Sequence, residues 1–89
     1  MQPTSTDARP GVPVYVLNRP SLDRLRQAHG IESDADLARV IGVNAATLYR
    51  VSNGITIPSN EFMAKVAMAF PAAKFNQLFT LRVPESIAA

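Results

Sequence analysis

Ser33-Asp34-Ala35-Asp36-Leu37-Ala38-Arg39-Val40-Ile41-Gly42-Val43-Asn44-Ala45-Ala46-Thr47-Leu48-Tyr49-Arg50-Val51-Ser52-Asn53-Gly54 is the stretch that decides the fold. Ser33 has an N-cap side chain, and Asp34 and Asp36 follow in the first turn, where negative charge suits the positive end of a helix dipole. Ser33 and Asp36 also have capping-box spacing, with Asp in place of the usual Glu or Gln. Leu37, Ala38 and Ile41 then fall on one face of a helix. Gly42 ends that helix with the left-handed backbone a tight turn requires. Asn44 caps a second helix over Ala45–Ser52, which turns Leu48 and Val51 inward, and Asn53-Gly54 closes it.

Two short helices therefore meet at Gly42-Val43-Asn44. Ala38 is small enough for them to approach closely, and Val43 and Leu48 fill the angle between them. That pattern is a helix-turn-helix unit over residues 33–54, a device that places its second helix in the major groove of DNA.

Outward from the unit the chain is also mostly helical. Ser21 after Pro20 reads as the N-cap of a helix over Leu22–His29 that stops at Gly30. Pro58-Ser59 precedes a helix over Asn60–Phe70, whose inward face is Phe62, Val66 and Ala69 or Phe70, with Met63 and Met68 as filler on or near it. A short fifth helix covers Ala73–Phe79. Four prolines within residues 1–20 leave no room for a long helix there, so residues 1–19 read as an arm and 84–89 as a tail around a domain spanning 20–83. Val14–Leu17 and Thr80–Val83 are β-prone, and an isolated strand leaves its backbone groups without partners. They are expected to pair, either within one chain or across a dimer.

Composition narrows the class. The chain has 89 residues, 47% hydrophobic and 18% charged, which fits one small globular domain. It has no cysteine and one histidine, so no disulfide frame, metal centre or cofactor is expected. His29 reads as a helix-end residue, Glu32, Asp34 and Asp36 as helix-entrance charge, and Ser21, Ser33 and Ser59 as caps with no base to activate them. Nothing points to an enzyme. No apolar run reaches the length of a membrane span, which leaves a cytoplasmic location as the default. The net charge of +2 and a pI near 9.5 suit a polyanionic partner without demanding one.

The run from Leu37 to Gly54, its continuation through Pro58-Ser59 and the segment Phe75-Asn76-Gln77-Leu78-Phe79 closely resemble the lambda-repressor-like, Cro/xenobiotic-response-element family. The resemblance covers about residues 20–80 and implies an all-α, five-helix DNA-binding domain, here with short terminal β-strands. Family members are often dimeric transcriptional regulators of bacteria and phages. It further implies that Asn44, Ala45, Ala46, Tyr49 and Arg50 face base edges, with Arg50 the best direct reader because a guanidinium pairs with guanine O6 and N7 together. Thr47, Asn53 and Thr56 become phosphate-contact candidates, which fix the domain's position without reading sequence, and Arg19 joins them as a cation outside the motif that would have to contribute. The arm around Arg9 reads first as a disordered tail, with a reach into a minor groove as the sharper alternative.

Two departures open a second reading. Relatives often carry Gln at the place of Asp34, where it donates to a phosphate, and an ionised Asp has no proton to donate. Over residues 33–70 the acids Asp34, Asp36 and Glu61 balance the bases Arg39, Arg50 and Lys65. Binding of duplex DNA by a monomer is then weak, and a homodimer would double the contacts. The alternative is a protein-interaction module that keeps the fold without the DNA function, docking a protein partner through Val12–Leu17 or an exposed face of helix four or five.

Overall fold

The computed structural model describes residues 11–83. Its elements run β1 (Val14–Leu17), α1 (Arg19–Ala28), α2 (Asp34–Ile41), α3 (Ala45–Ser52), α4 (Asn60–Ala69), α5 (Phe75–Leu78) and β2 (Phe79–Arg82). Expectations for Arg9 and for the tail 84–89 lie outside the described residues.

The caps of the central unit hold. The Ser33 hydroxyl accepts from the Asp36 N–H at 3.1 Å, the Asn44 carboxamide oxygen from the Thr47 N–H at 2.8 Å, and the Ser59 hydroxyl from the Phe62 N–H at 3.0 Å. Gly42 sits at φ 95°, and the Ala38 carbonyl accepts from both the Gly42 and the Val43 N–H, at 2.8 and 3.0 Å. The chain thus reverses out of α2 in a left-handed cap and presents Val43 to the core beneath it.

The first helix begins at Arg19 rather than at Leu22. Its N-cap is Asn18, not Ser21: the Asn18 side chain accepts from the Ser21 N–H at 3.2 Å. Pro20 is tolerated because a first-turn N–H has no intrahelical partner to lose. Ser21 is consequently inside the helix and buried, its hydroxyl accepting from Arg24 at 3.0 Å.

The two β segments pair with each other inside one chain, antiparallel, in the register Val14↔Arg82, Tyr15↔Leu81, Val16↔Thr80 and Leu17↔Phe79. The Asn18 N–H donates to the Leu78 carbonyl at 2.8 Å and continues the ladder past the strands. This shortens the fifth helix to Phe75–Leu78 and gives Phe79 to the sheet, where it buries its ring edge-on to Phe62 and stacked on Phe75.

Leu22, Leu37, Ala38, Ile41, Leu48, Val51, Phe62, Val66, Phe70, Leu78 and Phe79 form one core drawn from every helix and from β2. Met63 packs against it, but Met68 is 81% exposed and fills nothing. Two positions beyond buried Val66, Met68 is turned about 200° around α4 from the core face.

Candidate nucleic-acid interface

Burying Leu48 and Val51 in the core beside α2 fixes which side of α3 faces out. Asn44, Ala45, Ala46, Tyr49, Arg50 and Asn53 are all exposed, and their spacing lines them along a single face of the helix. The five expected base-reading residues are thus brought together on one surface. Tyr49 stands 62% exposed and packs under nothing. The two alanines keep the first turn slim, so the helix can approach a flat surface closely.

Hydrogen bonds already commit part of this face. Asn44 spends its carbonyl oxygen on the Thr47 cap, which leaves its amide group as a donor. Asn53 donates its amide nitrogen to the Tyr49 carbonyl at 2.8 Å, which leaves its oxygen as an acceptor. Only one of its two amide hydrogens is used there, so the other also remains a donor that can meet a phosphate. The Arg50 guanidinium has neither a hydrogen-bond nor an ion-pair partner among the described residues.

Thr47, Arg50 and Thr56 line one cleft of about 320 Å³ between α3 and the segment that leads into α4. Asn44 and Thr47 line a neighbouring hollow with Glu61 and Lys65. Arg19 lies apart, beside the other end of α3. Its Nε donates to the Asp23 carboxylate at 3.0 Å, its Nη1 to the Ser52 hydroxyl at 2.7 Å and its Nη2 to the Asp34 carboxylate at 2.6 Å. One guanidinium therefore ties the first turns of α1 and α2 to the last turn of α3. Burial by itself would lower the Arg19 pKa, but the bonds to Asp34 and Asp23 outweigh it and raise it. Burial likewise would raise the Asp23 pKa, and Arg19 followed by Arg26 pulls it below the ordinary carboxylate range.

Two of the three acids at the entrance of α2 are thereby paired. Asp34 pairs with Arg19 and Asp36 with Arg39, while Glu61 on α4 pairs with Lys65 at 3.0 Å. Lys65 also donates to the Gly42 carbonyl at 3.0 Å and braces the turn from α4. The Glu61–Lys65 spacing was readable as a helical pair, but nothing local signals that Lys65 reaches Gly42 or that Arg19 reaches Ser52, because both contacts cross the fold.

A helix-turn-helix family model matches residues 22–72, more than half of the chain. The chain belongs to the lambda-repressor/Cro-like helix-turn-helix family. Helix-turn-helix domains of this family are DNA-binding regulatory domains, and the matched span contains α2, the turn at Gly42 and α3 in full. No curated protein and no solved structure matches the chain. No helix among the described residues is long and apolar enough to cross a membrane.

Proposed function

We propose that this helix-turn-helix domain is a sequence-specific transcriptional regulator of the repressor/Cro type that sets α3 in the major groove of duplex DNA. The observation that carries the reading is Arg50, a guanidinium unpaired among the described residues on an exposed helix face otherwise lined by uncharged side chains. Arg50 pairs with a guanine edge. Asn44, Ala45, Ala46 and Tyr49 contact the flanking bases, the alanines against thymine methyl groups. Thr47, Thr56, Asn53 and Arg19 face phosphates along the two sides of the groove. A homodimer binds a roughly palindromic site with half-sites about one helical turn apart, and operates as a cytoplasmic DNA-bound protein.

Binding of random duplex DNA, followed by fluorescence anisotropy at low and moderate salt, tests this. Wild type is expected to bind in a salt-sensitive manner and Arg50→Ala more weakly. On a selected specific site the substitution is expected to lose about 1–3 kcal/mol of discrimination. Folded protein that binds no duplex even at low salt would refute the proposal. That result would favour the second reading, a protein-interaction module, for which the exposed side chains of Tyr15, Phe75 and Leu81 at the sheet provide an apolar surface.

A further inference from the structure

The pairing of Arg19 with Asp34 has a consequence for affinity. Arg19 has five N–H groups, and the bonds to Asp23, Ser52 and Asp34 occupy most of them; Nη2 lies within 2.9 Å of Asp23 as well as 2.6 Å from Asp34. One Nη1 hydrogen is left without a partner. The two carboxylates around the guanidinium outnumber its single charge, although Asp23 also takes a 3.4 Å contact from Arg26.

Asp34 is the outermost member of this group. Its side chain is 60% exposed, against 20% for Arg19, and it occupies the first position of α2. In a helix-turn-helix the helix before the recognition helix crosses the DNA backbone, and the N–H groups of a helix N-terminus are natural phosphate contacts. On that docking the first turn of α2 would face the phosphates, and the exposed Asp34 carboxylate at that turn holds the Arg19 guanidinium beside it.

We propose that Asp34 acts as an internal competitor for Arg19: its carboxylate occupies the guanidinium group that would otherwise bind a DNA phosphate, and it thereby sets the domain's affinity low. Asp34 is an affinity-determining residue that acts through Arg19. This rests on the DNA-binding reading above. Asp23 and Ser52 hold the Arg19 side chain in place from the inner side, so removing the Asp34 charge releases one Nη2 N–H, the other staying on Asp23, without releasing the arm. The freed group then makes one phosphate contact more than wild type.

The test is a double-variant cycle read by duplex binding across salt. Asp34→Asn is expected to bind random duplex more tightly than wild type at 50 mM salt. Its log-affinity against log-salt slope should be steeper by about 0.9, so its advantage shrinks about 3.5-fold between 50 and 200 mM. In an Arg19→Ala background the same substitution should give no gain in slope. Arg19→Gln, which keeps a polar donor beside Ser52 but carries no charge, serves as the background if Arg19→Ala melts before the assay temperature. Wild type that binds DNA while Asp34→Asn binds no better overturns the proposal. So does an equal gain with and without Arg19, since simple repulsion by Asp34 would then suffice. Failure of every variant to bind any duplex sinks the DNA-binding reading itself, and this proposal with it.

Discussion

Gly42 links the sequence of the turn to the angle between α2 and α3, and its replacement by alanine has a predictable size. The residue sits at φ 95°, and a Cβ built on it meets only the Lys65 Cδ at 3.9 Å, an ordinary contact. Sterics with neighbours therefore add nothing, and the penalty is conformational. Holding an L-residue in the left-handed region costs roughly 1–2 kcal/mol. The stiffer unfolded chain of the alanine variant returns about 0.4–1 kcal/mol of that. A net loss of about 1 kcal/mol remains, which for a domain of this size lowers Tm by about 4–8 °C. Asparagine visits the left-handed region more readily, so Gly42→Asn is expected to fall by clearly less than Gly42→Ala. Thermal unfolding followed by circular dichroism measures both. If Gly42→Ala melts with wild type, or if the asparagine variant falls as far as the alanine one, backbone conformation is not what the glycine provides.

Three further outcomes follow from the packing and charge. Asp23 has its folded-state pKa lowered by Arg19 and Arg26, so its stabilising contribution is present above the unfolded value near 3.9 and is lost as pH falls through the lower folded value; urea midpoints at pH 7, 4 and 3 should drop only at the acid end, and less in Asp23→Asn. Phe62→Ala empties a buried site against Phe79 and should destabilise by about 3–5 kcal/mol, whereas Met68→Ala on the exposed side of the same helix should leave the urea midpoint within error. Asn44→Ala removes the α3 cap and should lower stability by about 1 kcal/mol, while Asn44→Ser keeps an accepting oxygen and should lose much less.

The motif between Ser33 and Gly54 was legible because its signals are local. Each cap is a side chain bonding a backbone N–H three positions on, Gly42 needs only its own φ, and the stripe of Leu37, Ala38, Ile41, Leu48 and Val51 repeats at helical spacing. At both ends of the domain a partner distant in sequence settles the choice. Ser21 has every credential of an N-cap, but Asn18 takes that role because its own N–H is held by Leu78, sixty residues away, and this fixes the strand-to-helix junction at Asn18. Phe79 has equal claims to helix and strand, and its register opposite Leu17 decides for strand. The same distinction divides the candidate interface. The exposed face of α3 follows from its buried face, so Ala45, Ala46, Tyr49 and Arg50 could be placed from periodicity. The commitments of Arg19 could not, since Ser52 and Asp34 lie 33 and 15 positions from it.

Counting charges along the sequence made the helix-turn-helix region neutral and its entrance repulsive to phosphate. Counting them in space leads elsewhere. Asp34, Asp36 and Glu61 each have a cation beside them, so none of the three is a free negative charge. The same pairs, however, withdraw Arg19, Arg39 and Lys65 from the supply of cations that neutralise phosphates. Exposed ion pairs of this kind stabilise the fold by at most about 1 kcal/mol, so their larger effect is on what remains free to bind. On the face of α3 what remains is Arg50 alone. An interface with so few unpaired cations has a shallow salt dependence and a weak sequence-independent term. On the proposed function, discrimination between sites would rest mainly on the bidentate geometry of Arg50 and on how closely Ala45 and Ala46 let α3 approach the bases, and a second copy on a second half-site would matter more to this chain than to a strongly basic one.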